Sequence, residues 1–232
     1  MNLRPRQAWG TIGWDPDVYG RSHLGIPLEV WRPRGACRFL LFAAIHGEEP
    51  ETTFALSRAL RQLTEPSAHV AVVLAANPDG LIRGTRGNAR GVELNRNFPT
   101  ADWQSDPVAH RSTLDDPRDV LLSPGACPGS EAETQALIAL VHELRPQTAI
   151  ALHAPLACID DPNDSALGRW LAARTGLPLV RDVGYPTPGS FGTWGAEQGL
   201  SVITYEFPLT TTDALVREHV PVLVDLLTRD AP

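Results

Sequence analysis

The sequence predicts an α/β fold: a single domain in which a β-sheet carries helices on both faces. Three observations point there. Four apolar runs have the length of buried strands, at 39–45, 70–76, 148–152 and 202–205. Such near-continuous runs mark strands covered on both sides. Other segments repeat apolar residues with the helical period, Leu56, Ala59, Leu60 and Leu63 in one and Leu137, Leu140, Val141 and Leu144 in another. Finally, 232 residues without an internal repeat or a break in composition suit one large core.

Taken in order, residues 1–27 are rich in Gly, Pro and Trp, show no period, and are expected to form a wrapping arm. A short strand is predicted at 28–31, then a strand at 37–45 and a helix from about 50 to 63. The strand at 70–76 is stopped by Asn77-Pro78-Asp79-Gly80. From there to about 129 the chain reads as irregular, and long irregular stretches in a domain tend to be functional. This one carries Arg83, Arg86, Arg90, Asn95 and Arg96 in an otherwise acidic protein. Ser130-Glu131-Ala132-Glu133 reads as a capping box opening a helix to Leu144. Ser165 is placed to cap a helix over about 165–175, a Gly/Pro-rich loop is expected at 183–194, and a short helix at about 193–198. The last helical pattern, about 211–229, contains Pro221 and must kink or restart there.

Composition excludes several classes. A net charge of −7 argues against non-specific nucleic-acid binding and against an anionic membrane surface. Three cysteines without C-x-x-C spacing favour free thiols. The first ten residues have no apolar stretch behind their basic residues, and no segment approaches the ~20 apolar residues of a membrane span. A cytoplasmic protein is therefore expected, with no nucleic-acid or membrane partner.

His46, His153 and Glu206 each directly follow an apolar run, so each is predicted at the mouth of a strand, as is Asn77. Open α/β sheets place their sites there. Gly47 follows His46 and gives the turn backbone freedom closed to other residues. Glu49, on the same turn, can share an ion with His46. Any one of these has an ordinary structural reading, but four at one end of one sheet point to a site. Two imidazoles and a carboxylate make a three-ligand zinc site with an open fourth position. A further carboxylate beside it has the chemistry of a general base. No G-x-S-x-G elbow supports a serine hydrolase.

The order His46-x-x-Glu49, Asn95-Arg96-Asn97, His153, Glu206 resembles the signature of the zinc carboxypeptidases. The resemblance runs almost end to end and is densest at Tyr19-Gly20-Arg21-Ser22, Asn77-Pro78-Asp79-Gly80, 87–99, Pro128-Gly129-Ser130-Glu131, 155–159 and Pro188-Gly189-Ser190-Phe191-Gly192. It implies a twisted mixed sheet and one Zn²⁺ per chain on His46, Glu49 and His153. Glu206 matches the base, Arg86 the oxyanion arginine, and Asn95 and Arg96 the pair that clamps a terminal carboxylate. Tyr185 falls where the family has a mobile tyrosine. In the 188–192 stretch, Ser190 and Phe191 are expected at the substrate pocket, Phe191 where digestive relatives that select basic side chains carry an acid.

The stretches at 155–159 and 188–192 are similar to family members that cut the γ-D-glutamyl–meso-diaminopimelate bond of murein tripeptide in cell-wall recycling. Such a small peptide is the expected substrate, with Asp160 or Asp161 as partner of its distal amine; both also read as turn residues ahead of Pro162. A zinc-dependent deacylase of a small N-acyl amino acid, desuccinylase-like, is the alternative. A non-catalytic peptide-binding module is a second, though it would be expected to lack a ligand or the base. Ala154 departs from the Asp often found after the third ligand in such amidases. The Ala154–Pro155 bond is expected to be cis.

Overall fold

In the computed structural model, residues 3–111 and 119–228 are described. The arm is more ordered than its composition indicates. Within it β1 (Asp17–Arg21) pairs antiparallel with β2 (Pro27–Val30). Ahead of β1 the chain runs along the first helix, where the Arg58 guanidinium lies over the Trp9 ring and Leu3 bridges to Leu63.

Six strands then build the main sheet: β3 (Phe39–Phe42), β4 (Val70–Val73), β7 (Thr148–His153), β8 (Leu156–Asp160), β9 (Leu179–Val180) and β10 (Ser201–Pro208). Their spatial order is β4-β3-β7-β10-β8-β9. The first four are parallel, and β8 runs antiparallel to β10, so the sheet is mixed. All four apolar runs are strands. β8 and β9 are additions that periodicity missed, because Leu156–Asp160 alternates weakly and β9 has only two residues.

Helices α1 (Pro50–Leu60), α4 (Ala166–Thr175), α6 (Thr212–Glu218) and α7 (Val220–Thr228) pack on one face around Leu41, Ile150, Ile203 and Tyr205. On the other face, α3 (Ala132–Leu144) and α5 (Phe191–Glu197) pack around Leu40, Phe42, Ala149 and Val202. The last helical pattern does restart, at His219, placing Pro221 in the first turn of α7. α5 begins at Phe191, two residues earlier than predicted, with Ser190 as its cap.

The irregular stretch after β4 contains α2 (Pro78–Arg83), a 3₁₀ turn at Leu94–Arg96, and a ribbon of β5 (Val108–Arg111) and β6 (Asp119–Leu122). The capping box at 130–133 does not form. The N-cap is Glu131, without a side-chain cap bond, and Ser130 Oγ donates to Glu131 at 2.7 Å. Glu133 turns inward instead, accepting from the His23 N–H at 2.9 Å and from Asn88 Nδ2 at 3.2 Å. Segments far apart in sequence thereby share one buried polar network, extended by Ser22 Oγ donating to Asp79 at 2.6 Å. No described helix is long and apolar enough to cross a membrane.

One buried pair makes a prediction. The Tyr205 hydroxyl lies 2.7 Å from His219 Nδ1, both residues almost fully buried at the α6–α7 joint. Burial lowers the His219 pKa against the opposing pull of Glu218. The folded protein therefore holds this imidazole neutral at a pH where the unfolded chain already protonates it. Stability is expected to fall as pH drops below about 6.5. His219→Phe should flatten that slope in denaturant titrations between pH 7 and 5; an unchanged slope refutes the assignment.

Candidate active site

The site residues converge because neighbouring parallel strands end together. His46 lies just beyond β3, His153 ends β7, and Glu206 is in direct register with His153 on β10. β3 sends the chain to one side, through α1 to β4, while β7 lies on its other side, so His46 and His153 straddle the switch point of the sheet. Ala44, at φ 49° and fully buried, bends the chain between β3 and His46. Gly47 is needed for a reason different from the one its position predicts. Its φ is not left-handed, but a Cβ there would lie 2.0 Å from the Gly80 carbonyl carbon. The turn can approach α2 only without a side chain. Asn77 holds this approach: its Oδ1 accepts from the Gly80 N–H at 2.9 Å, and its Nδ2 donates to the carbonyls of Ile45 and Arg86 at 3.2 and 3.3 Å.

Three donors face one point. Glu49 Oε1 is 2.7 Å from His46 Nδ1, Glu49 Oε2 is 3.2 Å from His153 Nδ1, and the two Nδ1 atoms are 3.1 Å apart. All three residues are buried, and these are the only described His, Cys, Asp or Glu side chains grouped closely enough to hold a metal. Burial opposes ionisation of Glu49, yet the two imidazoles hold its pKa well below the usual carboxylate range. Burial and Arg86 push His46 down, but Glu49 and Glu93 carry it up to about 9. The site thus favours positive charge beside Glu49, and a divalent cation supplies that charge. Two imidazoles and a carboxylate with His46 Nε2 turned 3.1 Å from Glu93 Oε1 are a donor set that fits zinc, including the carboxylate behind the ligand.

Around this centre stand the other predicted groups. Glu206 is 6 % exposed and accepts the Leu156 N–H at 3.2 Å. Burial, reinforced by Glu49 and opposed by His153, raises its pKa. Arg86 is gripped by Glu93 through Nε and approaches Glu48 and Glu49 at 3.2 and 3.5 Å. The Asn95 Oδ1 accepts the Phe191 N–H at 2.9 Å, which leaves its amide hydrogens for another partner. Arg96 is 8 % exposed and donates to the Asn95 carbonyl at 2.7 Å. Tyr185 is half exposed, close enough to Glu206 and Arg96 for both charges to act on its phenol. Arg83 and Arg90 are solvent-exposed. The Ala154–Pro155 bond is cis.

Two expectations are corrected. Phe191 does not line a substrate pocket with its ring. It is 2 % exposed and stacks edge-on against Phe42 and Phe98, at 4.8 and 5.3 Å, because it opens α5 over the sheet. Its link to the site is its backbone N–H on Asn95. Ser190 likewise commits its hydroxyl to capping α5, accepting the Thr193 N–H at 3.0 Å.

Sequence reasoning missed Glu93, which is 1 % exposed and joins His46 to Arg86. A lone acid in an irregular loop carries no signal of its own; its only mark is its place two residues before Asn95. It also missed that Glu48 connects Arg86 to His110 on the β5–β6 ribbon, at 2.8 Å from the imidazole.

A mixed α/β sheet with His-x-x-Glu and a distant His at its carboxyl edge, a buried carboxylate beside them and an arginine close by, defines a metallohydrolase of the carboxypeptidase type. The zinc carboxypeptidase family model matches residues 19–159, and the chain belongs to that family. Murein peptide amidase A of Escherichia coli K12 is 46 % identical over 228 residues, covering 97 % of this chain and 94 % of that protein. A crystal structure of murein-tripeptide amidase from Escherichia coli O157 superposes with a TM-score of 0.93 at 44 % identity, covering 98 % of this chain and 97 % of that one. Carboxypeptidase A from Helicoverpa armigera shares the fold, with a TM-score of 0.65 at 17 % identity over 90 % of this chain and 65 % of its own. The protein is a zinc-dependent hydrolase and a homologue of murein peptide amidase A.

Proposed function

We propose that the protein hydrolyses the γ-D-glutamyl–meso-diaminopimelate amide of murein tripeptide, and that residues 1–232 act as one catalytic domain with 1–27 as its arm. The observation that carries this reading is likeness along nearly the whole chain to proteins named as murein peptide and murein-tripeptide amidases. His46, Glu49 and His153 would hold the zinc. When bound, the ion supplies Lewis acidity that polarises the scissile carbonyl and makes water a nucleophile near neutral pH. Glu206 takes the proton from the attacking water and returns it to the leaving nitrogen; its buried carboxylate, oriented by the Leu156 N–H, is basic enough for both steps. Arg86, held by Glu93, offers a guanidinium N–H to the developing oxyanion. Arg96 and the free amide hydrogens of Asn95 clamp the terminal carboxylate of the leaving residue. Tyr185 closes over it. The acyl side needs only to fit, which is how a site of this type can cut a γ-linked amide.

The test is a substrate panel with zinc-loaded protein. L-Ala-γ-D-Glu-meso-diaminopimelate should release diaminopimelate with far higher kcat/KM than N-succinyl or N-acetyl amino acids. The reverse order replaces this reading with the deacylase. Arg96→Ala should chiefly raise KM, by roughly 10–10²-fold for the loss of a charged hydrogen-bonded anchor. If wild type cuts a substrate with its terminal carboxylate amidated equally well, the clamp is misassigned.

A further inference from the structure

The β5–β6 ribbon takes no part in the main sheet, yet it is fastened to the site at two points. Just past β6 the Ser123 carbonyl accepts the Glu93 N–H at 2.8 Å, and the Ser123 N–H reaches the Gly91 carbonyl at 3.3 Å. On β5, His110 Nε2 lies 2.8 Å from Glu48 Oε1. Cross-strand pairing with Val120 fixes the backbone of His110. One ribbon therefore supports Glu93 through its backbone and Glu48 through its side chain.

Glu48 and Glu93 are the two carboxylates outside the ligand set that grip Arg86. Glu93 takes Nε, and Glu48 Oε1 takes Nη1 at 3.2 Å. Each is anchored in turn by an imidazole, Glu93 by His46 at 3.1 Å and Glu48 by His110. Contacts on two different nitrogens fix both the place and the plane of a guanidinium, whereas a single contact leaves it free to swing. Among the described residues Nη2 has no acceptor, so it is the nitrogen left to meet the oxyanion.

The two grips are unequal. The Glu93 side chain is 1 % exposed and has nowhere else to go. The Glu48 side chain is 26 % exposed, and water competes for it. A half-buried carboxylate loses rotamer freedom by staying on one arginine, and the ion pair alone offsets little of that loss. The bond from His110 is the second contact that keeps Glu48 in place.

We propose that His110 is a positioning residue for the oxyanion arginine: it holds Glu48 on Nη1, and so fixes the plane in which Arg86 presents Nη2. This rests on the assignment of Arg86 to the oxyanion and does not depend on which amide is cut. His110 acts through Glu48, so a donor at the place of its Nε2 is all the task requires.

The experiment compares zinc-loaded wild type, His110→Ala, His110→Gln, Glu48→Ala, Arg86→Ala and the Arg86→Ala/His110→Ala double variant. It measures kcat and KM on whichever substrate of the panel above is cut, Ki for the phosphonate analogue of that substrate, and zinc affinity. Arg86→Ala should lower kcat by roughly 10²–10³-fold. His110→Ala should lower it by about 10-fold, a misaligned donor costing less than a lost one, with KM and zinc affinity unchanged. The phosphonate, whose tetrahedral oxygens stand in for the oxyanion, should bind more weakly by the same factor. His110→Gln should restore most of the rate, and Glu48→Ala should match His110→Ala. In the Arg86→Ala background, His110→Ala should cost nothing more, because the path it acts through is gone. A His110→Ala variant with wild-type kcat and phosphonate affinity overturns the proposal, as does a loss that persists undiminished in the double variant. If Arg86→Ala itself keeps its rate, the oxyanion assignment falls and takes the role of His110 with it.

Discussion

Glu206→Gln is expected to lower kcat by roughly 10²–10⁴-fold while leaving zinc at one equivalent per chain. The substitution is almost isosteric. Its amide oxygen can still accept the Leu156 N–H, so the strand edge and the three ligands next to it are undisturbed. What disappears is the capacity to take a proton from water and pass it to the leaving nitrogen. Because burial raises the pKa of Glu206, the acid limb of the wild-type pH–rate profile should lie above the range of an ordinary carboxylate. The active form is the ionised one, so activity is lost as pH falls through that raised value. Metal analysis beside single-turnover assays separates the cases: full activity in the variant removes Glu206 from the reaction, whereas lost zinc would make it a structural support.

Replacing Glu93 by leucine should be the most damaging change away from the reacting atoms. Its carboxylate is buried between His46 Nε2 and the Arg86 guanidinium, and the charges of both partners hold its pKa well below normal despite burial. Removing it leaves a buried cation without its main counter-charge, a loss of about 3–5 kcal/mol in stability. It also frees the ring of a zinc ligand, which typically weakens metal affinity 10–100-fold. Denaturant titrations and competition with a zinc chelator measure the two effects separately. Glu93→Gln, which keeps the shape and one acceptor, should fall between. Zinc affinity equal to wild type in both variants would show that Glu93 does not support His46.

The strand mouths were legible because a buried parallel strand writes itself as a continuous apolar run, and the first polar residue after it stands at the site. His46, His153 and Glu206 were found that way, and the helices flanking them by their apolar period. Phe191 and Ser190 were misjudged for the opposite reason: nothing local tells an aromatic ring at a pocket rim from one that opens a helix over the core. The capping box failed similarly, since Glu133 has a better partner in the His23 N–H, 110 residues away.

By itself, then, the sequence determined the strands, the mouth positions of His46, His153 and Glu206, and through its motifs the family. Those depend on periodicity and on adjacency along the chain. Only the tertiary structure decided which carboxylates act on which cations. Glu93 behind His46 and Arg86, Glu48 between Arg86 and His110, and Asp160 unpaired where Asp161 is saturated are all outcomes of strand register and loop packing. The energy of a buried charge is set by what lies within a few ångströms of it, and distance in space is not written in distance along the chain.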